Sequence, residues 1–165
     1  VAPAIPAYGA GVCPAGATCP LPRRETDGEA ALGSLIADGA ALYAACRRCA
    51  ARSPHGARRV LEQLAREQQR TVRSLLAAYF LLTGRWRQPP VPAAGLQEPW
   101  LTALRRVFLA ESVLQRDCAA LAEHLENGCL RQLLAAEAER AAARGKSLAA
   151  LLENSLTTAN NLLKW

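Results

Sequence analysis

Aromatic residues make up only 5% of the chain, methionine is absent altogether, and there are just two histidines, His55 and His124. Alanine, leucine, arginine and glutamate dominate instead. This composition argues against a sheet protein and for packed helices. No apolar run approaches the roughly 18 residues that a membrane span needs, so no transmembrane helix is expected. Nothing reads as a secretory signal. With no initiator methionine the sequence reads as trimmed at its start, and the expected location is cytoplasmic. Nucleophilic triads, phosphate loops and nucleotide-binding fingerprints are missing too. The net charge is +6, but Arg23-Arg24, Arg47-Arg48, Arg58-Arg59 and Arg105-Arg106 are scattered along the chain. Scattered arginines read as solvated helix faces, so neither nucleic acid nor membrane is an expected partner.

What is present is periodicity. With 165 residues, one domain burying roughly 70% of its unfolded surface is the default. Residues 1–28 form a proline- and glycine-rich arm without helical rhythm. Helix A is expected over about 29–52, with Leu32, Leu35, Ile36, Leu42, Tyr43 and Cys46 on its apolar face and Gly39 in the middle of it. A mid-helix glycine costs about 1 kcal/mol relative to alanine, so it marks a missing side chain or a close approach. Ser53-Pro54-His55-Gly56 breaks the chain before helix B, about 57–83, which stops at Gly84. Residues 85–97, with Pro89, Pro90 and Pro92, form a long crossover. Helix C, about 98–126, presents Trp100, Leu104, Val107, Phe108, Leu114, Cys118 and Leu125, with Glu111 among them. After the turn signal Asn127-Gly128, helix D runs to about Asn154. Leu130, Leu133, Leu134, Leu148, Leu151 and Leu152 face inward around Glu137, with Arg140 and Arg144 on the same side. Residues 155–165 are a short polar tail. Four long helices with short A–B and C–D turns and a long B–C connection predict an all-α four-helix bundle.

The organising stretch is Glu67 to Gly84, EQQRTVRSLLAAYFLLTG. At about 100° per residue, Val60, Leu64, Thr71, Leu75, Ala78 and Leu82 all fall within roughly 80° of Glu67. Arg70, at i+3, lies on the same side. An unpaired buried carboxylate costs several kcal/mol, so such a residue is kept with a partner, a proton or a metal. Two readings stay open: a Glu–Arg pair closing a core gap, or a present or former metal-ligand position. The pattern also echoes itself. Gly39 and Glu67 are 28 residues apart, Glu111 and Glu137 are 26 apart, and each second member begins E-x-x-R. A cysteine follows seven residues after both Gly39 and Glu111.

The bundle pattern, the E-x-x-R at 67–70 followed by AAYFLLTG, LRRVFLAE at 104–111 and LLAAEAER at 133–140 together resemble the ferritin-like superfamily, nearest its rubrerythrin-like branch. The resemblance covers residues 29–153. It implies a Glu from each of helices A and C and a Glu-x-x-His from each of B and D, holding two iron or manganese ions. By position, helix A then has Gly39, beside Asp38, where the family has glutamate. Helix B keeps Glu67 but has Arg70 for the histidine. Helix C keeps Glu111, and helix D keeps Glu137 with Arg140 for the histidine. The implied core is metal-free and salt-bridged, the guanidiniums standing in for the cations. The implied role is a structural or interaction module, with a homodimer packing helix faces together.

The alternative is a residual iron, manganese or zinc site at Glu67, Glu111 and Glu137, with Asp38 or a cysteine as a further ligand. That chain would be a rubrerythrin-like oxidoreductase acting on peroxide or oxygen. A second register also stays open. With the C–D turn centred on Asn127-Gly128, Arg144 rather than Glu137 lies at the depth of Glu111, and Ala141 and Arg144 take the Glu-x-x-His positions. Cys46-x-x-Cys49 is a possible thiol site for zinc or redox chemistry. The other reading makes Cys46 and Cys118 small apolar core residues. Cys13 and Cys19 fit no common zinc spacing.

Overall fold

The computed structural model describes residues 23–92 and 98–162. It has four helices, α1 Arg23–Arg52, α2 His55–Thr83, α3 Trp100–His124 and α4 Gly128–Leu162, and no strand among the described residues. The helices form a four-helix bundle. α1 packs on α2 and on α3, and α4 packs on α3 and on α2. The core between them is almost wholly aliphatic. Leu32, Ile36, Leu61, Leu75, Leu104 and Leu114 are among its fully buried side chains.

Both ends of the helical region lie further out than the periodicity suggests. α1 begins at Arg23, inside the stretch expected to be an arm; residues 1–22 lie outside the described ones. Its opening sequence is charged and carries no apolar rhythm, yet Gly28 and Glu29 are docked. A Cβ on Gly28 would meet Leu125 Cδ2 at 3.2 Å and Leu82 Cδ2 at 3.5 Å. Glu29 Oε1 accepts a 2.7 Å hydrogen bond from the Tyr79 hydroxyl. α4 continues past Asn154 to Leu162, through the expected polar tail. Ser155, Thr157 and Thr158 donate to the carbonyls of Leu151, Glu153 and Asn154. Hydroxyls that read as loop residues thus bond back within the helix.

The turns set the register. Asn127 Oδ1 accepts hydrogen bonds from the amides of Cys129 and Leu130, at 3.0 and 3.2 Å, which caps α4. Gly84 ends α2 at φ 68°, its amide bonded to the Phe80 carbonyl at 2.8 Å. The chain leaving α2 stays on the bundle. Trp86 stacks on Phe80, with ring centroids 4.5 Å apart, and Arg87 lies over the Tyr79 ring. Residues 89–92 then line a hollow together with Ala40, Tyr43 and Val72.

Two expected inward faces need correction. On α2, Val60 is exposed, whereas Leu61 and Gln68 are fully buried. The face is centred on Gln68 rather than Glu67, which is half-buried, and Arg70 is exposed. On α4, Glu137 and Arg144 point inward, but the Arg140 side chain is 61% exposed.

Candidate functional site

At mid-bundle, the apolar core is interrupted by one polar layer. α3 contributes Glu111 and α4 contributes Arg144, whose side chains are 2% and 3% exposed. Arg144 Nε donates to Glu111 Oε1 at 2.8 Å, and Nη2 lies 2.7 Å from the same oxygen as an ion-pair contact. Arg144 Nη1 donates to Thr71 Oγ1 of α2 at 3.1 Å. One turn before Thr71, Gln68 Nε2 makes a long 3.4 Å contact with the Gly39 carbonyl of α1, and Gln68 Oε1 is buried without a partner.

Gly39 is therefore a close approach. A Cβ there would meet Val72 Cγ2 at 3.2 Å and Gln68 Nε2 at 3.5 Å. No space is held for a carboxylate side chain. Asp38, beside it, is exposed and bonded to Ser34.

The buried i, i+3 pairs on α2 and α4 at this layer are thus Gln68/Thr71 and Ala141/Arg144, of which Arg144 bonds both Glu111 and Thr71. They replace the expected Glu67/Arg70 and Glu137/Arg140. Ala141 is 1% exposed. The register with Arg144 opposite Glu111 is the one the structure has, and the turn between α3 and α4 spans residues 125–127. Glu67 instead accepts a 2.7 Å hydrogen bond from Gln63 on its own helix. Glu137 does pair with Arg140, through Nη1. It does so about 10 Å along α4 from Arg144, at 1.5 Å per residue, and its Oε2 is buried without a partner. His124 is exposed in the last turn of α3, and His55 is the first residue of α2.

Burial pushes the Glu111 carboxyl above the usual glutamate range; Arg144 opposes the shift and the nearby Glu67 charge adds to it. The fold therefore holds this proton more tightly than the unfolded chain does. Its contribution to stability is fully present below the ordinary glutamate range and is lost as pH rises through that range to the raised folded value. Urea titrations across the acid range are expected to show wild-type stability falling relative to Glu111→Gln over that window. Outside it, the difference between the two proteins is expected to stay level.

The cysteines behave as core residues. Burial, then the Glu111 charge, pushes the Cys46 thiol up to about 12. Burial, then Glu98, takes Cys49 to about 11, and burial, then Glu137, takes Cys118 to about 12. A zinc or redox role for Cys46 and Cys49 gains no third partner, since no three His, Cys, Asp or Glu side chains gather among the described residues. Cys13 and Cys19 lie outside those residues. Of the four described cysteines, only Cys129 is exposed. Brief alkylation near neutral pH, mapped by mass spectrometry, should label Cys129 while Cys46, Cys49 and Cys118 react only after unfolding.

No family model matches the sequence, and no curated protein matches it. Among solved structures, the chain is similar to a conserved hypothetical protein from Mycobacterium tuberculosis, with a TM-score of 0.65 and 20% identity over 78% of this chain and 93% of the other. At that identity the likeness shows the bundle fold alone. No helix among the described residues is long and apolar enough to cross a membrane.

Proposed function

We propose that this chain is a ferritin-like bundle, related to the rubrerythrin branch, whose di-metal centre has been replaced by an internal ion pair. It acts as a metal-free structural or interaction module. The observation that carries this reading is the Arg144 guanidinium on Glu111 at the centre of the core. An arginine offers a metal no lone pair, and it fixes a positive charge where a dication would have to sit. The other positions facing that point supply an amide, a hydroxyl, a methyl group and a backbone, from Gln68, Thr71, Ala141 and Gly39. Glu111, with only the Glu67 charge nearby, gathers no third carboxylate, histidine or cysteine among the described residues, a thin ligand set for iron or manganese.

The ferritin-like assignment is further supported by the α2–α3 connection. Arg87 lies against Gly33, and residues 89–92 line a hollow together with Ala40 and Tyr43. The strand of chain thus moves along the bundle, as a lengthwise crossover requires. The residual set Glu67, Glu111 and Glu137 gains no support, since Glu137 lies at the level of Cys118 rather than of Glu111.

Metal content by mass spectrometry tests the reading, on protein purified without chelator and offered ferrous iron and manganese anaerobically. The expected stoichiometry is near zero for both. One or more tightly bound ions per chain would overturn the proposal and restore an oxidoreductase reading.

A further inference from the structure

The outer seam between α1 and α3 carries two hollows of about 380 and 410 Å³. Both are lined by Ala45, Arg48, Arg106 and Val107, so they form one continuous trough. Along α1 it extends from Asp38 to Arg52, about 21 Å at 1.5 Å per residue, or about four turns of helix. Its floor is made of small or buried apolar groups, Ala41, Ala45, Cys49, Ala103 and Val107 among them. Side chains this short let a neighbouring backbone come close.

The charge along the trough is divided. Arg48 and Arg106 flank the middle, where the two hollows meet, Arg52 stands beside Trp100 at one end, and Asp38 stands at the other. Arg106 is partly answered by Glu98, whose Oε2 lies 3.0 Å from its Nη2. Arg48 and Arg52 form no ion pair with any described carboxylate. Exposed apolar area continues on the α3 side at Val113, which is 41% exposed.

We propose that this trough binds an amphipathic α-helix of a partner protein, one with small or apolar residues at i, i+3, i+4 and i+7 and acidic residues towards one end. The length of the trough matches such a helix, the alanines fit its apolar stripe, and the unanswered arginines fit its carboxylates. A second copy of this chain is a poor occupant, because two bodies each carrying +6 repel one another. The inference rests on the reading of the chain as an interaction module and names the partner class.

The test uses the full chain and two fluorescein-labelled synthetic helices of about 18 residues. Both share an alanine–leucine stripe; one carries glutamates at its end and the other lysines. Fluorescence anisotropy at low salt should show the glutamate peptide binding about tenfold more tightly than the lysine peptide, a gap that shrinks as salt is raised. Arg48→Gln/Arg52→Gln should weaken it about fivefold. Ala41→Trp, which fills the trough without changing charge, should weaken it as well. Arg131→Gln, an exposed change on α4, should leave it unaltered, and circular dichroism confirms that each variant is folded. Equal affinity for both peptides, an unaffected Ala41→Trp, or an Arg131→Gln effect as large as the double variant's would each overturn the proposal. Peptide failure with metal near zero removes the trough proposal and leaves the scaffold reading intact. Bound metal removes the scaffold reading whatever the peptides do.

Discussion

Replacing Arg144 by methionine alone is expected to destabilise the bundle by about 3–5 kcal/mol, while Glu111→Leu/Arg144→Met should restore wild-type stability or exceed it. Both side chains are almost fully buried, so the pair has given up its hydration in exchange for one strong contact. Removing the guanidinium leaves Glu111 buried without its cation and Thr71 without its donor. Glu111 then escapes charge only by binding a proton, so the loss should grow as pH rises. Removing both partners leaves two apolar side chains in a core that holds Leu114 and Leu148, both fully buried, with Gln68 and Thr71 as the remaining polar groups of the layer. Urea unfolding of the two single variants and the double variant gives the coupling energy directly. A double variant no more stable than Arg144→Met would show that the polar layer is needed for reasons other than charge balance.

Gly39→Glu, which restores a carboxylate at the helix A position the resemblance singled out, should be among the most damaging single changes, at about 3 kcal/mol or more. The first carbon already meets Val72 Cγ2 at 3.2 Å and Gln68 Nε2 at 3.5 Å, with Leu75 Cδ1 at 3.9 Å. The rest of the side chain would have to displace the α2 face, and its charge would arrive where Arg144 is already engaged by Glu111. Gly39→Ala separates the two effects. Its helix propensity gain of about 1 kcal/mol is offset by the tight contact with Val72, so it should stay within about 1 kcal/mol of wild type. Thermal unfolding followed by circular dichroism distinguishes them. A Gly39→Glu protein as stable as wild type would mean that α1 and α2 can part to make a pocket, which would weaken the metal-free reading.

The four helices were legible because leucine recurs at the helical period on each of them, and the burial of Glu111 and Glu137 follows from their places inside that stripe. Gln68 was not legible. A glutamate or arginine on an apolar face contradicts its surroundings and draws notice, whereas a neutral amide does not. Glu67, one residue away and about 100° round the helix, took its place. Thr71 was legible as an inward position, but nothing marked its hydroxyl as the acceptor for Arg144. On α4 the periodicity puts both Arg140 and Arg144 on the inner side, and only the hairpin decides between them. Asn127 carries that decision. Its side chain caps α4, and residues placed symmetrically about the turn, Glu111 and Arg144 among them, come level. The ends of α1 and α4 were misread for a different reason. Charged and hydroxylated residues can extend a helix, at lower propensity for serine, threonine, asparagine and aspartate than for leucine, but without an apolar stripe to announce it.

A bundle whose centre is closed by a bound ion has a stability that follows the supply of that ion, since whatever binds only the folded state stabilises it by mass action. Here the cation is part of the polypeptide. Its local concentration at Glu111 is fixed by the length of the Arg144 side chain, and it cannot be stripped by a chelator, exchanged for a competing ion or lost through dilution. Nor can a guanidinium change valence.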